Sequence, residues 1–161
     1  MRIGVVSDTH GQVMYARPAI RLLETLQVDL VIHCGDVGEV PIIPLFDRWP
    51  THFVFGNVDD NQQRLRTAIE AAEQTCHGMF GHIECEGKKI AFLHSHDAAL
   101  FQETIHSGEW DLVCYGHTHV AEQHRVGKTL VLNPGAIYRA NPHTLATVEL
   151  PSLEATIHPV I

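Results

Sequence analysis

The chain has no C-x-x-C pair, no apolar run near the roughly 20 residues that span a bilayer, and no surplus of basic charge. Each absence removes a class of function. The four cysteines, Cys34, Cys76, Cys85 and Cys114, are scattered and read as reduced, mostly core residues. Eleven Lys and Arg against nineteen Asp and Glu leave a net charge of −8. That balance argues against a basic face and so against a stable nucleic-acid complex. It leaves phosphate chemistry open, because bound divalent cations would reverse the sign locally. No membrane association is expected. The opening "MRIGVVSDTHG" has an apolar run too short, and too soon followed by Asp8 and His10, for a secretory signal. It reads as a first strand, and the protein as cytoplasmic. The length, with no repeat or linker, fits one domain over residues 1–161.

Histidine, in contrast, is abundant. Thirteen in 161 residues make any single His weak evidence, so position has to sort them. The first half of the chain alternates strand and helix signals. "RIGVV" (2–6), "DLVIH" (29–33) and "THFVF" (51–55) read as buried strands. Between the first two, Ala16, Ala19, Ile20, Leu23 and Leu26 recur at helical spacing, with Pro18 tolerable only in a first turn. "VPIIPLFDRW" reads as a short Pro-interrupted helical segment, and Leu65, Ala68, Ile69 and Ala72 mark another helix. Links of this length imply parallel strands. In the second half, "HIECEGKKIAFLH" reads as a hairpin through Gly87. A helix capped by Asp97 follows, then "DLVCY" and two more hairpins. The pattern is α/β, parallel in its first half and antiparallel in its second, with two packed sheets flanked by helices.

The polar residues after each strand form a series. Asp8 and His10 follow the first strand, Asp36 the second, and Asn57, Asp59 and Asp60 the third. His94 and His96 follow "KIAFL", His117 and His119 follow "DLVCY", and Asn133 ends "LVLN". Parallel strands present their carboxyl ends on one edge, where ligand sites form in α/β sheets. The first three groups are therefore neighbours. If the later strands reach the same edge, two carboxylates, a carboxamide and four imidazoles converge. Oxygen and imidazole donors without thiolate suit Mn²⁺, Fe, Zn²⁺, Co²⁺ or Ni²⁺. Seven donors exceed one four-coordinate site and fit two sites sharing a ligand. Two cations about 3.5–4 Å apart are the usual machinery of phosphate-ester displacement.

The ordered series D-x-H, G-D, G-N, H, G-H-x-H, from Asp8 to about Arg139, resembles the calcineurin-like metallophosphoesterase superfamily. The short chain and "LNPGAIYR" resemble its small single-domain phosphodiesterase branch. The resemblance implies a four-layer αββα sandwich, two mixed sheets face to face and flanked by helices. It implies two divalent ions, Mn²⁺ foremost. Asp8, His10, Asp36 and His119 would hold the first, and Asn57, His94 and His117, with bridging Asp36, the second. The implied reaction is hydrolysis of a small-molecule phosphate ester, above all a diester, by a metal-bridging hydroxide. Asp36, Asn57 and His117 would position that hydroxide and the phosphate. A homodimer is compatible with this reading. His94 is preferred to His96 because it ends its strand directly.

The chain departs from the family in two places. Many members have "GNHD" or "GNHE", whose His protonates the leaving group or steadies the transition state, and here that place is Val58. Esters with acidic leaving groups are then favoured, unless solvent or His96 supplies the proton. Ser95 stands where Gly is frequent. A phosphomonoesterase of a small metabolite is one alternative. Another is a non-catalytic scaffold like the retromer subunit, which keeps the fold and lacks key histidines. His33 reads as a core residue, Asp59 as a support for the ligands and Arg139 as a solvated side chain. His52, His77, His82, His106, His124, His143 and His158 read as surface or hairpin residues.

Overall fold

Apolar runs too continuous to leave a face in water dictate two sheets with both faces covered. The computed structural model describes residues 1–161. In chain order its elements are β1 (Arg2–Val6), α1 (Val13–Thr25), β2 (Leu30–His33), a 3₁₀ segment (Val40–Phe46), β3 (Thr51–Phe53), α2 (Gln62–Ala71) and β4 (Thr75–Cys76). There follow β5 (Phe80–Cys85), β6 (Lys88–Leu93), α3 (Ala98–His106), β7 (Leu112–Cys114), β8 (Glu122–Val126), β9 (Thr129–Asn133), β10 (Thr144–Glu149) and β11 (Glu154–Pro159). One sheet has the order β11-β10-β1-β2-β3-β4, the other β5-β6-β7-β9-β8.

Alternation within each run sorts side chains between layers. Val5, Ile32, Ile90 and Phe92 enter the core between the sheets, with Ile3 opposite Leu30 and Val5 opposite Ile32 in register. Their neighbours Val6 and Val31 point the other way, onto Ala16, Ala19 and Leu23 of α1 and Leu65 and Ile69 of α2. Ala91, Leu93 and Val113 pack on Ile105 of α3 outside the second sheet. The result is the four-layer αββα sandwich. No helix is long and apolar enough to cross a membrane.

Two expectations need correction. The second half is not antiparallel throughout: β6, β7 and β9 run parallel, and only the hairpins β5–β6 and β8–β9 are antiparallel within that sheet. The reason is α3, which carries the chain back along the sheet between β6 and β7, and β8, which does the same between β7 and β9. The carboxyl ends of β6, β7 and β9 thus share one edge. Pro18 lies inside α1, not in its first turn. It removes the donor that would meet the carbonyl of Met14, and Met14 is exposed, so water can take that place. The Asp97 cap is present, accepting from the Leu100 amide at 3.0 Å.

The core between the sheets sets stability. Phe92 is fully buried, and its ring lies over Gly81 on β5, where a β-carbon would come within 2.1 Å of it. Phe92→Ala should therefore lower unfolding free energy by about 3–5 kcal/mol, read as a lower urea midpoint at unchanged m-value.

Candidate metal centre

The loops that leave β1, β2, β6 and β7 meet over one end of the two sheets. Their backbones turn sharply. Asp8, His10, Asp36, His117 and His119 all have left-handed φ values, from 47° at His10 to 75° at His117. Outside glycine this conformation is uncommon, though Asp and His tolerate it better than most residues. Ser95 has φ 79°, which accounts for glycine being frequent at that place in the family. The glycines of the "GN" and "GH" motifs allow close approach. A β-carbon on Gly56 would lie 2.0 Å from Asp36 Oδ1, and one on Gly116 would lie 2.0 Å from Ser7 Oγ and 2.9 Å from Asp8 Oδ2.

Five of the seven expected donors come together. Asp8 Oδ1 lies 3.0 Å from His119 Nε2, 3.6 Å from His10 Nε2 and 3.9 Å from His94 Nε2. Asp36 Oδ2 lies 3.2 Å from His94 Nε2 and 3.4 Å from His10 Nε2. Two groups form, Asp8–His10–His119 and Asp8–Asp36–His94, each able to hold a cation. Asp8 is common to both. Asn57 and His117 stand at the rim with exposed side chains, the His117 ring 5.1 Å from that of His94.

Hydrogen bonds behind the rings decide what the front can do. The Cys34 carbonyl, 2.8 Å from His94 Nδ1, can only accept, so Nδ1 carries a proton and Nε2 is the atom turned to the carboxylates, which outweigh burial and raise the pKa of the ring. The Arg139 carbonyl, 3.2 Å from His119 Nδ1, likewise places a proton on that nitrogen. Backbone carbonyls in this role are typical behind metal-ligating imidazoles. Asp8 Oδ1, His10 Nε2 and His94 Nε2 are buried without a hydrogen-bond partner. Carboxylate oxygens and imidazole nitrogens converging unpaired in a buried space call for positive charge among them, as protons on the rings or as a bound cation. Burial tends to raise the carboxyl pKa of Asp8, yet the His10 imidazole and the charge of His94 hold it below the ordinary value. Burial acts likewise on Asp36 and is outweighed by the nearby His94 ring and the Val58 amide. Both carboxylates are therefore ionised at neutral pH and available to a cation.

The remaining polar residues hold the loops. Asp59 accepts from the amides of Gly56 (2.7 Å), Gly38 (2.8 Å) and Val37 (3.2 Å), tying the loop after β2 to that after β3. Asn133 donates to the Gly116 carbonyl at 3.2 Å and Thr118 Oγ1 at 3.0 Å, so it braces the "GHTH" loop and is not among the clustered donors. His33 is buried against Phe46 and Phe53, its Nε2 3.0 Å from Thr9 Oγ1; burial lowers its pKa to about 4 and keeps it neutral. His52 and His77 are not independent surface residues: their ring nitrogens lie 2.9 Å apart at the edge where β3 pairs with β4. Sequence spacing could not reveal that pair, since 25 residues separate the two. Nor could it reveal the carbonyl partners, which carry no side-chain signature.

Known proteins resemble this chain in sequence and in fold. The model of the calcineurin-like phosphoesterase superfamily domain matches residues 1–153. Phosphodiesterase MJ0936 of Methanocaldococcus jannaschii is 33% identical over 138 residues, covering 84% of this chain and 83% of that protein. The probable metallophosphoesterase YsnB of Bacillus subtilis is 29% identical over 140 residues, 85% of this chain and 75% of that one. A solved archaeal phosphodiesterase superposes with a TM-score of 0.90 at 29% identity, covering 99% of both chains. The fold alone extends to a zinc complex of Vps29 from Entamoeba histolytica, with a TM-score of 0.68 at 21% identity and coverage of 98% and 90%. With the whole donor series lying inside the matched span, the chain belongs to the calcineurin-like phosphoesterase superfamily.

Proposed function

We propose that the protein is a dinuclear metal-dependent phosphodiesterase acting on small-molecule phosphate esters, with Mn²⁺ as its working ion. The observation that carries this reading is the set of carboxylate and imidazole atoms of Asp8, His10 and His94 that converge, without hydrogen-bond partners, on one buried space. Asp8, His10, Asp36 and His119 hold one ion, and Asp36, Asn57, His94 and His117 the other. Asp36 Oδ2 faces an imidazole of each set, as Asp8 Oδ1 also does, and the family resemblance gives the shared position to Asp36. The chemistry such ions supply when bound is Lewis acidity toward phosphoryl oxygens and a water of lowered pKa. The chain itself orients and restrains. Cys34 and Arg139 carbonyls fix the tautomers of His94 and His119, and Asp59 and Asn133 hold the loops in register. Asn57 and His117, exposed at the rim, are placed to meet phosphate oxygens.

The leaving group receives no proton from the third loop. Val58 occupies that place, half-exposed, and its amide donates to Asp36 Oδ1 at 3.1 Å. The amide steadies the carboxylate, and the side chain has no proton to give. Esters whose oxygen departs as a stable anion when the P–O bond breaks suit such a site, as the aryloxide of an aryl diester does.

Two measurements test this. Purified protein should bind close to two divalent ions and hydrolyse bis(p-nitrophenyl) phosphate, with activity abolished by EDTA. Asp36→Asn should lower both occupancy and rate, the latter by more than the roughly 100-fold that loss of a supporting partner costs at most. Turnover in that variant comparable to the parent would refute the reading. Val58→His should speed alkyl esters by roughly 100-fold if the ring reaches the leaving oxygen, while aryl esters gain far less. Equal gains on both would mean that protonation does not limit the parent enzyme.

A further inference from the structure

His33 is a fully buried titratable group that the chemistry proposed above leaves unused. It ends β2 beside Val6 of β1, at the foot of the loops that carry Asp8, His10 and Asp36. Its ring stacks on Phe53 with centroids 5.5 Å apart and meets Phe46 edge-on at 5.7 Å. An apolar residue would fill that place without leaving a polar atom unpaired. The imidazole instead keeps Nδ1 buried with no hydrogen-bond partner, and a half-satisfied polar group in a core is destabilising. The other nitrogen explains its presence.

Nε2 lies 3.0 Å from Thr9 Oγ1, and that hydroxyl lies 3.1 Å from the Val37 carbonyl and 3.4 Å from the Asp36 carbonyl. The protons available fix the direction of these bonds. Thr9 has one hydroxyl proton and the carbonyls can only accept, so the hydroxyl donates to them and accepts from His33. Burial keeps the ring neutral against the pull of Asp8 and Asp36, so its single proton sits on Nε2. His33 thus donates to Thr9, and Thr9 donates to the loop after β2.

Thr9 is the middle residue of the D-x-H motif. Asp8 and His10 on either side of it have left-handed backbone, and so does Asp36 across the gap. Such backbone persists only where neighbours over-determine it. Main-chain bonds join the two loops, from the amides of Asp8 to the Gly35 carbonyl (3.0 Å), His10 to Asp36 (2.9 Å) and Gly11 to Val37 (2.8 Å). The His33–Thr9 pair adds a side-chain bond to the same carbonyls from inside the fold.

We propose that His33 is a positioning residue: through the Thr9 hydroxyl it locks the Asp8–His10 loop against the Asp36 loop and so sets how the two carboxylates are spaced for metal. This rests on the metal centre proposed above. His33 itself touches neither metal nor substrate.

Variants of the full chain test this without turnover. His33→Leu is close in volume and loses the donor, His33→Gln offers an amide N–H in place of Nε2–H, and Thr9→Val removes the hydroxyl. His33→Leu should not lower the urea midpoint, because it relieves the unpaired Nδ1. In the metal-free protein it should nonetheless speed hydrogen exchange of the His10 and Gly11 amides roughly fivefold, the equilibrium effect of one lost hydrogen bond. Thr9→Val should speed the same amides, and the double variant should be no faster than either single one. In calorimetric titrations His33→Leu should weaken Mn²⁺ binding roughly tenfold, and the paramagnetic resonance of a coupled Mn²⁺ pair should give way to that of separate ions. His33→Gln should restore both readouts. Unchanged exchange at His10 and Gly11 overturns the proposal. So does a fall in urea midpoint that matches the rise in exchange, since His33 would then merely support the core, and so do additive effects in the double variant. A parent protein that binds a single Mn²⁺, with the exchange pattern and its rescue intact, would count against the dinuclear reading and not against the link.

Discussion

Everything at the site depends on one electrostatic fact: ionised carboxylates and imidazole nitrogens converge in a buried space without hydrogen-bond partners. Asp8 Oδ1 and the Nε2 atoms of His10 and His94 have no partner, and carbonyls behind the rings hold Nδ1 of His94 and of His119. Water could relieve one such atom but not a converging set, because each water also needs donors and acceptors in balance. A divalent cation relieves all of them at once. The geometry of the loops follows from that need, since donors from four strand ends have to reach the same small volume.

The scaffold meets the need by stacking two sheets with their carboxyl ends on one side. In the first sheet β1 and β2 deliver Asp8, His10 and Asp36, and in the second β6 and β7 deliver His94 and the "GHTH" loop. The core between the sheets fixes their separation, so the packing of Val5, Ile32, Phe92 and Cys114 sets how near Asp36 comes to His94. Packing and chemistry are thus linked through a few residues. Cys34, at the end of β2, contributes to that core with its side chain and orients His94 with its carbonyl.

Much of this was legible in the sequence because its signals are short-range. Continuous apolar runs, an Asp97 cap, and polar residues placed directly after buried strands all register within a few positions. The four-layer arrangement followed from the family resemblance and agrees with the layers observed. What stayed hidden depends on distant partners or on backbone. The parallel pairing of β6, β7 and β9 requires knowing where α3 returns the chain, and a hairpin signal at each side disguised it. Pro18 was placed too early because helix starts are poorly marked here: Gln12, at the cap position, makes no side-chain capping bond. The His52–His77 contact and the His33–Thr9 hydrogen bond join residues from separate elements, and no spacing rule links them.

The choice between an active enzyme and an inert relative of the same fold turns on strain. Left-handed backbone at non-glycine residues persists only where the surroundings over-determine it, and each instance costs up to about 1–3 kcal/mol in unfavourable cases. Here five such residues, Asp8, His10, Asp36, His117 and His119, lie in the donor series. A protein used only as a binding surface gains nothing from those conformations, and substitutions that relax them would stabilise it. Neither would it keep His94 and His119 locked into one tautomer against backbone carbonyls. The retention of both features, together with carboxylates held ionised despite burial, is what a functioning metal centre requires and what a scaffold does not.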